Sequence, residues 1–153
     1  MYDIRFIDSD EWDDAINLTY RTFLQFDAPQ FTEEGIESFR SFIADEGLKR
    51  MFENGELHVV GAYSFNKLVG VIALKEKKHV SLLFVDKDYH RKGIGRRLLM
   101  ELSDFARIKL KQEKLTVNAA PYAVEFYRKC GFVSVRDEVR TCGIRYTPME
   151  IVF

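Results

Sequence analysis

Apolar positions recur with a strand period at the start of the chain, with a helical period over residues 10–53, and with a strand period again over 57–85. Tyr2–Ile7 alternates as a strand, and Ser9 or Asp10 is the expected cap of a helix running to about Phe26. Thr32 is the expected cap of a second helix over Glu33–Ile43, which Asp45–Glu53 continues after a break. Leu57–Tyr63 and Leu68–Leu74 read as a hairpin joined by Ser-Phe-Asn-Lys, although that turn lacks Asn-Gly, and Val80–Val85 is the next strand. From about Gly93 to Leu110, the residues Ile94, Leu98, Leu102 and Phe105/Ala106 form one apolar stripe of helical spacing. Lys114–Asn118 returns as a strand. Pro121 opens a helix where its missing N–H costs nothing, Gly131 ends it, and strands near Val133–Arg140 and Ile144–Val152 close the chain. The one helical crossover, between Val80–Val85 and Leu115–Asn118, makes those two strands parallel neighbours. The pattern predicts an α+β fold with a mixed, mostly antiparallel sheet flanked by helices, in one domain over 1–153.

Composition agrees with that reading. At 153 residues and 46% hydrophobic content, with 13 Phe and 7 Tyr, the chain supplies the core of a single domain. Met-Tyr-Asp-Ile-Arg-Phe holds no apolar run of signal-peptide length, and no segment reaches the length of a membrane span. A cytoplasmic protein without membrane or nucleic-acid partners is expected. Cys130 and Cys142 lack metal-ligand spacing and are expected as reduced thiols, with no metal site. The net charge of −1 conceals an asymmetry, because residues 1–46 carry 12 acidic and 3 basic side chains while the rest is strongly basic. Acids such as Asp10, Glu11, Asp13 and Asp14 suit a solvated helix face. An acidic N-terminal lobe would also attract a cationic amine.

The candidate chemistry begins at Ser81-Leu-Leu-Phe-Val85, which runs through Asp-Lys-Asp-Tyr into His90-Arg-Lys-Gly93-Ile-Gly95-Arg-Arg. A strand that ends in a glycine turn opening a helix presents free N–H groups to an anion. Arg91, Lys92, Arg96 and Arg97 crowd a helix N-terminus where the dipole already disfavours cations, which makes sense when a polyphosphate binds there. The dinucleotide fingerprint is excluded because Leu98 stands three residues after Gly95, and the P-loop is excluded because no Gly-Lys-Ser/Thr occurs.

His90-Arg-Lys-Gly93-Ile-Gly95 resembles the acyl-CoA loop of the GNAT acetyltransferase superfamily. The stretch Leu115-Thr-Val-Asn118 through Tyr127-Arg-Lys-Cys-Gly131-Phe132 resembles that family's later strand, helix and Gly-Phe turn, and Gly143-Ile-Arg-Tyr-Thr-Pro-Met149 resembles its terminal strand. The three matches occur in the family's order. Two positions depart from it: His90 replaces the usual Gln or Arg, and Ala120 stands where many members carry Asn.

The resemblance implies central parallel strands that splay apart, with acetyl-CoA entering the gap as co-substrate. It assigns the backbone of Leu83, Phe84 and Val85 to pantetheine, and Arg91, Lys92, Gly93, Ile94, Gly95 and Arg96 to the pyrophosphate. Asn118 stands as a pantetheine ligand or a local turn residue. Tyr127 matches the family's general acid, whose phenol would serve the departing thiolate. His79 is the best-placed base for the amine, with a surface role equally open, and His58 and the N-terminal carboxylates are alternatives. The expected activity is direct acetyl transfer to a primary amine of a small molecule or peptide. A non-catalytic acyl-CoA-sensing or protein-interaction module is the alternative, and a homodimer is compatible with either.

Overall fold

The computed structural model describes residues 2–153. Strand β1 (Tyr2–Phe6) is followed by α1 (Trp12–Phe26), α2 (Glu33–Ala44) and α3 (Glu46–Glu53). Next come β2 (Leu57–Ser64), β3 (Lys67–Lys75), β4 (His79–Val85), α4 (Ile94–Asp104), β5 (Lys114–Ala119) and α5 (Val124–Lys129). The chain closes with β6 (Val133–Ser134), β7 (Val139–Thr141) and β8 (Ile144–Val152). The sheet order is β1-β2-β3-β4-β5-β8-β6, with β7 pairing β8, and every neighbouring pair is antiparallel except β4 and β5. The expected α+β class and parallel central pair are thus present.

Local chemistry explains most boundaries. Thr32 caps α2 by accepting from the Gly35 N–H at 3.3 Å, and Asp45 breaks and restarts the helix by accepting from the Gly47 N–H at 2.8 Å. The first helix is capped earlier than expected. A single-turn segment over Ser9–Glu11 precedes α1, and the Asp8 N–H donates to Glu11 Oε1 at 2.8 Å. The β2–β3 hairpin turns at Phe65 and Asn66, both at positive φ (50° and 66°), so this pair adopts the conformation more often given to Asn-Gly. After Asp104 the helix widens into a π turn over Phe105–Lys109. The expected strand Val133–Arg140 is split, because only Val133–Ser134 and Val139–Thr141 pair with β8.

Two apolar clusters cover the faces of the sheet. On one face Leu98, Leu99 and Leu102 of α4 pack with Ile72, Leu115 and Phe132; on the other, Trp12, Leu18 and Phe23 of α1 pack with Val59, Val71 and Phe84. Helix α4 lies close to β3 because Gly70 leaves it room: a Cβ there would meet Leu98 Cδ1 at 3.1 Å. Among the described residues no helix is long and apolar enough to cross a membrane.

Leu98 is 0% exposed and is the side chain that seats α4 on the sheet. Leu98→Ala should therefore cost about 2–5 kcal/mol by denaturant titration, the range for a buried Leu left as a cavity. A loss below about 1 kcal/mol would mean that α4 is seated by other contacts.

Candidate active site

The parallel pair separates after two steps. β4 and β5 are in register only at His79↔Thr116 and Val80↔Val117. The Thr116 N–H donates to the Lys78 carbonyl at 2.8 Å, so residues 78 and 80 turn their backbone groups toward β5. The β3–β4 register then skips Ser81, passing from Leu74↔Val80 to Ala73↔Leu82. That bulge reverses the alternation. The Asp86 N–H reaches back to the Val69 carbonyl at 2.8 Å, which puts Leu82, Phe84 and Asp86 on the β3 ladder and turns Leu83 and Val85 toward the fork. Of the three expected pantetheine positions, Phe84 has its peptide groups committed to β3, whereas Leu83 and Val85 face the gap. On the opposite side, Asn118 follows Thr116 by two residues and turns its backbone to the fork as well. Its register partner in β8 is Pro148, tolerated because Asn118 asks nothing of that strand.

Beyond the fork lies the glycine turn. Gly93 caps α4 at φ 78°, ψ 10°, with no side-chain cap on the helix, so the first-turn N–H groups remain free. A Cβ at Gly93 would meet nothing within 4 Å, whereas one at Gly95 would sit 3.4 Å from the Phe126 ring. Gly93 therefore serves the backbone conformation, and Gly95 serves the close approach of α4 to α5. Arg91, itself at φ 62°, Lys92 and Arg96 are exposed and take part in no ion pair among the described residues. At the turn, the His90 Nε2–H donates to the Val85 carbonyl at 2.6 Å and ties the turn to the strand end.

A cleft of about 780 Å³ runs along the fork, and it brings together the expected site residues except Lys92 and the alternative base His58, neither of which lines it. Ile94 lines the cleft but its side chain is core, 1% exposed. Tyr127 is buried between Phe126 and Phe132, with ring centroids at 5.2 and 5.3 Å, and its hydroxyl has no hydrogen-bond partner among the described residues. Burial first, and then the Asp27 carboxylate, push its phenol well above the ordinary value, so it stays protonated. His79 lines the closed end, where its Nδ1 lies 2.8 Å from Thr116 Oγ1 and burial lowers its pKa. His58 is elsewhere, edge-on to Phe105 with centroids at 4.9 Å, outside the cleft lining.

Asp27 is the residue that the sequence reading missed. It closes α1, whose last turn carries no basic residue, and it is the only carboxylate among the described lining residues. The acidic N-terminal lobe thus contributes one charge to the cleft, not twelve. Its neighbour Phe26 is tilted against His90 at 4.7 Å and stacked on Tyr122 at 5.7 Å. Asp27 Oδ1 is buried without a partner, and burial raises its carboxyl from 3.8 to about 7. The negative end of α1 acts in the same direction. An acid at a helix C-terminus, against the dipole rule, was the available signal in the sequence.

With a folded value near 7 and an unfolded value near 3.8, the native state holds the extra proton between them, so stability falls as pH rises from about 4 to 7 and is level above. Asp27→Asn removes that slope. Its stability relative to the wild type, measured by urea titration, should therefore grow from pH 4 to pH 7; a difference independent of pH would contradict a buried, proton-holding Asp27.

Residues 27–153 match the acetyltransferase (GNAT) domain family. The N-alpha-acetyltransferase RimI of Mycobacterium tuberculosis is 37% identical over 107 residues, a stretch spanning 61% of this chain and 66% of that protein. A GCN5-related N-acetyltransferase from Rhodopseudomonas palustris superposes with a TM-score of 0.84 at 25% identity, over 99% of this chain and 95% of its own. The PaiA N-acetyltransferase of Thermoplasma acidophilum, solved with coenzyme A, shares the fold with a TM-score of 0.82 at 23% identity, over 100% of this chain and 99% of its own. The forked sheet, the glycine turn at α4 and these likenesses agree: the chain belongs to the GNAT acetyltransferase family.

Proposed function

We propose that this protein binds acetyl-CoA along the β4–β5 fork and transfers the acetyl group directly to a primary amine of a small molecule or peptide in the cytoplasm. The carrying observation is the fork itself, where peptide groups of Leu83 and Asn118 and the Val85 N–H face a gap that no strand among the described residues fills, the Val85 carbonyl being taken by His90. Pantetheine has the amide spacing to pair with them as an added strand, and an unpaired buried peptide group is costly. The α4 N–H groups with Arg91 and Arg96 are suited to the pyrophosphate. Lys92, outside the lining, would act at longer range.

Tyr127 is proposed as the group that meets the leaving sulfur. Its protonated phenol is desolvated, and a thiolate emerging in the same apolar fork is desolvated too, so its proton affinity rises toward that of the phenol. At the closed end, the contact between His79 and Thr116 holds the two strands together, a position that favours a structural part over the base expected from sequence. Neither cysteine is suited to carry an acyl group. Cys130 follows the C-terminal end of α5 and burial raises its thiol pKa, while Cys142 lies on the β7–β8 turn outside the cleft lining.

The direct test is thiol release from acetyl-CoA across a panel of amines; no release with any of them, in a protein that still binds CoA, would favour the sensing module instead. Tyr127→Phe should lower turnover about 10²-fold and leave CoA affinity within a few-fold. Wild-type turnover in single-turnover conditions would return Tyr127 to the core. Arg91→Ala and Arg96→Ala should each weaken CoA, and a larger loss with CoA than with dephospho-CoA identifies the cation serving the 3′-phosphate. Unchanged affinities in calorimetry would make both cations ordinary surface charges.

A further inference from the structure

Resting on the acetyl-transfer reading, we infer that Asp27 is the ammonium anchor and proton acceptor of this site, and that the acceptor is a singly charged primary amine on an apolar stem. Asp27 is the one carboxylate among the described lining residues, against four cations, Lys75, Arg91, Arg96 and Arg145. With Arg91 and Arg96 on the co-substrate's phosphates and Arg145 paired to Glu138 at 3.2 Å, the acceptor side keeps one cation, Lys75, and one carboxylate, so a polyamine would bring several positive charges to a single complementary group. A monoamine brings one. The walls nearest the N-terminal helices are aromatic: Phe23 stacks on Phe39 with centroids at 4.0 Å, Phe31 lies 5.6 Å from Phe23, and Phe84 lies 5.9 Å from Phe39. Such walls reward an apolar stem and do nothing for a polar one.

Asp27 is poised for both parts. Its Oδ1 is buried without a hydrogen-bond partner, a cost that an ammonium donor would relieve. Tyr122 on the Pro121–Ala123 turn and Tyr127 on α5 line the same cleft, and after burial the Asp27 charge raises the pKa of both phenols. A carboxylate and an ammonium paired in an apolar cleft are close in free energy to the neutral acid and free amine. The proton passes from nitrogen to the Asp27 carboxylate, and the nitrogen lone pair is freed. That pair attacks the thioester carbonyl carbon, the C–S bond breaks with its electrons on sulfur, and the Tyr127 proton goes to sulfur. The second proton lost by nitrogen restores the phenol, and Asp27 returns its proton to solvent with product. One ammonium and one thioester thus give one amide, one thiol and one released proton.

The test measures thiol release from acetyl-CoA by the wild type, Asp27→Asn and Asp27→Glu, with 2-phenylethylamine, hexylamine and spermidine as acceptors. The wild type should use both monoamines with kcat/KM at least about 10-fold above spermidine. Asp27→Asn should lose about 10²-fold with the monoamines, while calorimetry gives CoA affinity within about twofold of wild type. Binding of 2-phenylethylamine to the CoA complex, followed by NMR titration, should be lost in the same variant. Asp27→Glu, with the charge kept but displaced, should lie between the two. Wild-type kcat/KM in Asp27→Asn, or in Asp27→Glu where Asp27→Asn does not fold, would overturn the anchor and leave acetyl transfer standing. A wild-type preference for spermidine would overturn the monoamine class. No thiol release with any amine, despite CoA binding, would overturn the transfer reading and this inference with it.

Discussion

Two parallel strands that share a crossover helix, yet stay paired for only two register positions, leave peptide groups that the chain itself does not satisfy. The other features of the cleft are arranged around that separation. The skipped residue at Ser81 hands β4 from one neighbour to the other: before it, backbone groups point at β5, and after it the same phase points at β3. Without the bulge, the residues facing the gap would be Leu82 and Phe84, and Phe84 would lose its place among the aromatics of α1 and α2. One extra residue therefore fixes both which peptides are free and which side chains form each wall.

The gap persists because both of its edges are held from behind. β5 is paired to β8 along its whole length, from Lys114↔Val152 to Ala119↔Thr147, so it does not close on β4. β4 is held by β3 and, at its end, by the His90 side chain on the Val85 carbonyl. Helix α5 occupies the widening, with Phe126 touching the start of α4 near Gly95 and Tyr127 sealed between two rings. A phenol placed in this way has few rotamers available, so whatever it contacts is met in one orientation.

Much of this was legible in residues 80–131, where glycine spacing, a strand before it and a helical stripe after it point to one arrangement. The parallel pairing followed from a single crossover, and Thr32, Asp45, Pro121 and Gly131 marked boundaries through chemistry that acts within a turn of the chain. What was not legible depends on partners distant in sequence. The bulge at Ser81 exists only relative to β3, and the tie between His90 and Val85 only relative to the folded turn. Asp27 looked like one more acid in an acidic segment. Its distinction comes from burial and from Tyr122 and Tyr127, about a hundred residues away, which no local pattern encodes. His79 was read as a base from its place beside the central strand, and the fold gave it a neighbour, Thr116, on the far side of the crossover.

The turn between β7 and β8 rests on the beginning of α2. The Gly143 carbonyl accepts from the Thr32 N–H at 3.0 Å, and the backbones approach so closely that a methyl group on Gly35 would overlap that carbonyl. Ile144, Arg145 and Tyr146, just past this turn, line the cleft. Thr32 and Gly143 are 111 residues apart in the chain, so this side of the cleft is set by a long-range contact whose closure entropy the rest of the core must offset. A side chain added at Gly35 or Gly143 would therefore displace the Ile144–Tyr146 side of the cleft while leaving the β4–β5 fork untouched.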